Sequence, residues 1–115
     1  MRSLLVLGLA ALLAACSSSP QPAAQLALSE AAVAQAQSVG STAEDAALQQ
    51  AIRKLELAHA ANAQGDYYNA RLLAEQAELD ARQAEAQALV VKQQAVNARI
   101  QQRIDALRSS LEQQP

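Results

Sequence analysis

A long stretch without helix-breaking residues constrains the fold of this chain more than any other feature. Residues 67–114 contain no glycine and no proline. The residues that dominate them, Ala, Gln, Glu, Arg and Leu, are strong helix formers. The stretch predicts one helix over residues 66–112, about 45 residues long and roughly 65–70 Å in length at 1.5 Å per residue. We therefore expect an all-α protein.

Two glycines divide the preceding part into shorter helices. Gly40 is placed to end a first helix over residues 23–39, and Gly65 to end a second over residues 43–64, because glycine adopts the left-handed conformation at little cost. Asp66 is a strong N-cap for the long helix. The sequence thus predicts a tight turn between the second and third helices.

The chain's two tyrosines follow this turn directly. Tyr67 is predicted to pack across both helices, which makes Gly65, Asp66 and Tyr67 a structural helix–turn unit. Tyr68 is the better candidate for contact with a partner, since a tyrosine ring offers both apolar area and a polar tip.

The start of the second helix has two possible registers. Ser41 followed by Glu44 matches a capping box, and Thr42 with Asp45 offers the alternative. The second helix then presents one apolar face built around Leu48, Ile52 or Ala51, Leu55 and Ala58. On the first helix the predicted stripe consists of Ala27, Ala31 and Ala34, flanked by Leu26 and Val33.

The long helix carries an alanine seam, a repeat in which small residues recur at a mean spacing of about 3.5 over four heptads. Such small residues allow helix axes to approach at the short end of the usual range of about 8–10 Å. The seam consists of Ala70, Ala74, Ala77, Ala81, Ala84, Ala88, Val91, Ala95 and Ala98.

Larger apolar residues form a second stripe near the C-terminus, namely Val96, Ile100, Ile104, Leu107 and Leu111. The second helix is too short to cover it. In one arrangement the first helix folds back into a three-helix bundle, and the stripe projects beyond it as a candidate partner-binding surface. In the other, the first two helices run end to end, kinked at Gly40, and line the whole third helix. The bundle is the preferred prediction.

The N-terminal residues are typical of a secretory leader. Arg2 precedes an almost unbroken apolar run over residues 4–13, which is about ten residues long and too short to cross a hydrocarbon layer of roughly 30 Å. Ala14 and Ala15 follow it, and small residues at that point suit a signal peptidase. Residues 1–15 are therefore predicted to be removed.

Cys16, the only cysteine, stands directly after the tripeptide Leu-Ala-Ala, which resembles the bacterial lipobox. The resemblance implies cleavage between Ala15 and Cys16 and a diacylglycerol on the cysteine sulfur, and several acyl chains anchor a protein durably to a membrane. Residues 16–22 would then be a tether. Because Ser17 follows the cysteine, and not Asp, we expect the outer membrane, facing the periplasm. A non-lipidated leader and a buried N-terminal helix are the alternatives.

The middle of the chain carries a second resemblance. Its most specific part is Gly65-Asp66-Tyr67 followed by Ala70, which also resembles one tetratricopeptide-type hairpin, without a second copy at the period of about 34 residues. Over about residues 26–86 the chain is similar to an uncharacterised family of short alanine-rich helical bacterial lipoproteins, a domain of unknown function that precedes an OmpA-like domain in longer relatives. The resemblance implies fold and location and assigns no activity. Its other matching residues are Lys54-Leu55, Ala58, Leu73-Ala74, Gln76-Ala77 and Asp80-Ala81.

Composition argues against most kinds of chemistry. His59 is the only histidine and lies among alanines, where no pattern supplies a nucleophile or carboxylate for catalysis. One histidine without free cysteine cannot make a closed zinc site, and no carboxylate cluster suggests calcium. A net charge of −2 without a basic stripe argues against nucleic acid. We predict no catalytic residue, metal or cofactor.

Two functions fit these observations. The first is a non-enzymatic scaffolding lipoprotein whose stripe or turn contacts another envelope protein. The second is a self-associating spacer, a homo-oligomer that sets a distance within the envelope. An enzyme is not expected, because alanine helices offer no evident substrate pocket.

Overall fold

The computed structural model describes residues 19–115, which form three helices. Helix α1 spans Ala23–Val39, α2 spans Ala46–Ala63, and α3 spans Tyr67–Glu112. No strand occurs in this part of the chain, so the predicted all-α class with a long C-terminal helix is confirmed. The predicted leader, its cleavage point and Cys16 lie outside the described residues.

Glycine ends α1 as predicted. Gly40 adopts a φ of +113°, a left-handed conformation that strains any residue with a Cβ. Its amide donates to the carbonyl of Gln37, and the Ser41 amide donates 3.0 Å to the carbonyl of Ala36. These two bonds satisfy carbonyls that the helix end leaves free.

The predicted capping box at the start of α2 is wrong. Asp45 is the N-cap, and its carboxylate accepts from the amides of Ala47 at 2.9 Å and Leu48 at 3.3 Å. The hydroxyl of Ser41 caps no amide of α2 and instead donates to the carbonyl of Ala84 on α3, at 2.9 Å. Because Ser41 is engaged by α1 and α3, Asp45 performs the capping, and α2 begins at Ala46.

The turn between α2 and α3 follows the predicted pattern. Gly65 has a φ of +78°, and the Asp66 amide donates 3.0 Å to the carbonyl of Ala61. The Asp66 carboxylate then caps α3 by accepting from the amide of Asn69 at 3.2 Å. One left-handed glycine and one capping aspartate therefore reverse the chain.

The helices pack as a three-helix bundle, and the end-to-end arrangement of α1 and α2 is wrong. One core cluster joins Leu26, Ala58 and Ala74, each from a different helix. The other joins the late part of α1, the early part of α2 and a later part of α3: Val33, Ala36, Leu48, Ala51, Ala81 and Ala84. Thus α2 runs antiparallel to both neighbours, and α1 runs parallel to α3.

The alanine seam is the packing surface of α3, over the first half of that helix only. Five seam residues are fully buried: Ala70, Ala74, Ala77, Ala81 and Ala84. Ala88 is half-buried, and Val91, Ala95 and Ala98 are exposed. The repeat extends over four heptads in the sequence, but α1 ends and α2 begins near Ala84, so neither helix covers the rest.

The face of α1 differs from the prediction. Ala27, Ala31 and Ala34 are exposed, whereas the inward residues are Leu26, Ser29, Val33 and Ala36. Ser29 is fully buried, and its hydroxyl lies 2.7 Å from the carbonyl of Ala74, to which it donates. Burying Leu26 and Val33 removes more apolar area from water than an alanine stripe would, which favours this rotation.

Candidate interaction surface

The second half of α3, residues 89–112, makes no tertiary packing contact that buries a side chain, and every residue in it is exposed. We call this segment the bare half. It extends about 35 Å at 1.5 Å per residue. The five stripe residues Val96, Ile100, Ile104, Leu107 and Leu111 have exposures from 37% at Ile104 to 69% at Leu111. The bare half therefore presents apolar area to solvent, as the bundle arrangement predicts.

The bare half points away from the N-terminal end of the described chain. Pro20 and Pro22, which precede α1, line a shallow hollow together with Arg71 in the first turns of α3. The entry to α1 and the Gly65 turn thus lie at one end of the molecule. Because α3 runs from that end, the bare half forms the opposite end.

At the turn, the two tyrosines differ in exposure. Tyr67 is half-buried, whereas Tyr68 is 68% exposed. Tyr68 and the stripe lie on the same helix but at its two ends, so the fold does not bring them into one compact site within a single chain.

Polar side chains tie the three helices together across the bundle. Lys54 on α2 pairs with Asp80 on α3 at 2.6 Å, and His59 on α2 lies 2.9 Å from Glu30 on α1. His59 is exposed, so the structure places it at a surface contact between helices. Among residues 19–115, no group of His, Cys, Asp and Glu is arranged to hold a metal ion.

Glu78 is the centre of a further cross-link. It accepts 2.6 Å from the guanidinium of Arg82 and 2.8 Å from the amide of Gln25 on α1. The hydrogen bond from Arg82, followed by that from Gln25, lowers the pKa of Glu78 below its ordinary value of 4.5. Both donors favour the ionised carboxylate, so this cross-link depends on Glu78 being charged.

Comparison with known proteins identifies the domain. Residues 24–100 match a family described as a domain of unknown function, DUF4398. The chain belongs to the DUF4398 family. A crystal structure of a DUF4398 family protein from Pseudomonas aeruginosa PAO1 matches with a TM-score of 0.80 and 41% sequence identity, covering 81% of this chain and 97% of that one. A search of curated proteins found no match.

The matched region of this DUF4398 chain includes the bundle and the first part of the bare half. Within residues 19–115, no helix combines the length and apolar character needed to cross a bilayer. An open hollow lies where the bundle ends, lined by Val39 and Gly40 on one side and by Ala88 and Val91 on the other. It is shallow and adjoins the bare half.

Sequence reasoning missed part of the exposed apolar surface. Leu72 and Leu79 lie in the bundle half of α3 yet are 41% and 67% exposed. They face away from the seam, since a leucine two residues before or after a seam alanine lies about 160–200° around the helix. The signal was present in the sequence as two leucines seven residues apart, beside the alanine repeat.

Proposed function

We propose that this DUF4398 protein is a non-enzymatic interaction module of the bacterial envelope. In this proposal Cys16 carries acyl chains that insert into the outer membrane, and the helical domain faces the periplasm. The observation that carries the proposal is the bare half, an apolar helix segment with every residue exposed, because a large exposed apolar patch on a folded chain marks an interaction site.

The direction of the bare half supports the same proposal. A tether of residues 16–22 reaches roughly 20–25 Å when extended, and it joins α1 at the end of the molecule that holds the Gly65 turn. A single anchored chain would therefore hold its bundle near the membrane and present the stripe away from it. The stripe would be accessible to other periplasmic molecules.

A catalytic role receives no support from the described side chains. The cross-helix pairs, Lys54 with Asp80 and His59 with Glu30, have a sufficient role in holding the helices together. The hollows that the described residues form at the end of the bundle and beside Pro20 are open and shallow, whereas small-molecule sites are usually deep enough to bury most of a ligand. We therefore propose binding without chemistry.

Anchoring and binding need separate tests. Anchoring is tested by fractionating cells that make the natural chain or Cys16→Ser and by measuring the mass of the mature N-terminus. The natural chain should sediment with outer membranes and carry acyl chains, and the variant should be released. A bare thiol at position 16 would refute the anchor.

Binding is tested by chemical cross-linking in intact cells. The double variant Ile100→Ser with Leu107→Ser should lose discrete adducts that the natural chain forms. The matched control Leu28→Ser with Leu57→Ser removes two leucines of similar exposure from the bundle and should retain them. Adducts with a foreign protein support the scaffold, and adducts between copies support the spacer. Adducts that survive the stripe variant would contradict both.

A further inference from the structure

The exposed apolar surface of α3 is longer than the bare half. A second set of positions on α3 recurs every seven residues, the spacing that keeps side chains on one face of a left-handed coiled coil. It consists of Leu72, Leu79, Ala86, Gln93, Ile100 and Leu107. Tyr68, Leu89, Ile104 and Leu111 lie beside them, and all the large apolar members are exposed. We call this surface the outer ridge. It runs almost the full length of α3, on the side away from α1 and α2.

The bundle and the bare half differ in charge, and the two halves of α3 are nearly equal in length. Residues 19–88, which contain the bundle, include nine acidic and four basic residues, whereas residues 89–112 include two acidic and four basic residues. The molecule is thus an acidic bundle with a basic extension. Each part complements the other part of a second copy in both charge and length.

We propose that two copies associate through their outer ridges with their α3 helices antiparallel. The bare half of each chain then lies on the outer face of the other chain's bundle. In this register Leu72 meets Leu107 of the partner subunit, and Leu79 meets Ile100 of the partner subunit. Leu89 lies at the twofold axis beside Leu89 of the partner subunit.

One ion pair fixes the direction of the two helices. Glu75 lies beside the outer ridge, three residues after Leu72, and is about half exposed, and it forms an exposed ion pair with Arg71 at 2.9 Å. In the antiparallel register it faces Arg103 of the partner subunit, and symmetry repeats the contact. In a parallel pair, coiled-coil spacing would instead set Arg103 against Arg108 of the partner subunit, and the two acidic bundles would lie side by side. Charge therefore favours the antiparallel pair.

This inference rests on the proposed function in one respect, since both use the stripe as a contact surface. It does not require the lipid. Its consequence for anchoring is that the two tethers leave from opposite ends of the pair. A pair anchored in one membrane would lie with its long axis parallel to the membrane surface. A single anchored chain could instead extend away from the surface.

The test uses the helical domain from Ser19 to Pro115. The P. aeruginosa relative crystallised as a chain matched over 97% of its length, so a chain of this extent folds on its own. Residues 19–115 contain no cysteine, and Leu79→Cys and Ile100→Cys each introduce one at an exposed position. The two variants, one carrying a size tag, are mixed and treated with a short bismaleimide, with Leu57→Cys as the control.

The antiparallel pair predicts cross-links only between the two different variants, because identical cysteines would lie about 32 Å apart along the axis. Sedimentation should show a dimer at micromolar concentration. Links between identical variants would overturn the antiparallel direction, and a monomer without links would overturn self-association. If that monomer still forms stripe-dependent adducts with a foreign protein in cells, the proposed function survives and this inference alone fails.

A charge exchange provides the second measurement. Arg103→Glu sets two glutamates together at each symmetric contact, and it should weaken dimerisation about tenfold, given that an exposed ion pair contributes about 0.2–1 kcal/mol and occurs twice. Adding Glu75→Arg to the same chain should restore the affinity. If Arg103→Glu has no effect, or if the second change does not restore dimerisation, the proposed register is wrong.

Discussion

The alanine seam can be tested by adding the same side chain at two equivalent positions. Ala81 and Ala95 lie two heptads apart in one repeat, yet Ala81 is fully buried and Ala95 is exposed. Ala81→Leu forces three additional carbon atoms between α3 and its neighbours, which pack against Ala81 through Val33, Ala36 and Leu48. Ala95→Leu adds the same atoms where nothing opposes them.

Overpacking a closely packed core costs about 1–3 kcal/mol. For a domain of this size each kcal/mol lowers Tm by about 4–8 °C, so Ala81→Leu should lower Tm by roughly 4–24 °C. Ala95→Leu should change the free energy of unfolding by less than about 0.5 kcal/mol, as expected for an exposed site. Leucine and alanine are both good helix formers, so intrinsic propensity does not distinguish the two variants.

The assay is urea and thermal unfolding followed by circular dichroism at 222 nm, the wavelength of helix ellipticity. An Ala81→Leu protein as stable as the natural chain would refute the close approach of the three helices at that level. Equal destabilisation by Ala95→Leu would show that the bare half is packed in solution. Both results can be obtained at several protein concentrations, which separates folding from association.

Four further variants or conditions test other parts of the structure. Ser29→Ala removes the buried hydrogen bond to Ala74 and should lower the free energy of urea unfolding by about 0.5–1.5 kcal/mol; no loss would show that the bond contributes little. Asn62→Ala removes a buried amide oxygen without a hydrogen-bond partner among the described residues. It should raise the free energy of unfolding through a helix-propensity gain of about 0.5 kcal/mol or more, and an unchanged or lower value would contradict this. Because the pKa of Glu78 is lowered in the folded protein, the charge of Glu78 stabilises the fold at pH values above its ordinary pKa of 4.5. This contribution is lost as the pH falls through the lower pKa of the folded state. Acid titration of unfolding should therefore destabilise the natural chain more than Glu78→Gln, and equal slopes would contradict the cross-link. In dilute monomeric protein, hydrogen exchange should be fast in residues 92–112 and slow around Ala77, because a helix without tertiary contacts is only marginally stable; uniform protection would contradict this.

The helix ends were predictable because they depend on local chemistry. Gly40 and Gly65 adopt the left-handed conformation, and Asp66 caps α3, each determined by residues within one turn. The capping box failed because the hydroxyl of Ser41 bonds to Ala84, which is 43 positions further along the chain. A sequence window of a few residues holds no information about that carbonyl.

The helix arrangement was less predictable, because alanine repeats indicate close packing without indicating which neighbour packs. The inward face of α1 follows Leu26 and Val33, whose size outweighs the more regular Ala27 stripe. The pair of His59 with Glu30 joins two helices whose relative direction the sequence left open. The stripe from Val96 to Leu111 was predicted to be exposed if a bundle formed, and that condition holds.

Leu48 is the largest fully buried side chain among the described residues, and alanines form most of the rest of the core. Unfolding such a domain hydrates little hydrocarbon, and the heat capacity of unfolding scales with that hydrated area. The free energy of unfolding should therefore vary only weakly with temperature. Its maximum should be low, and the temperature range over which the domain stays folded should be broad. A protein of this construction would resist cold as well as it resists moderate heat.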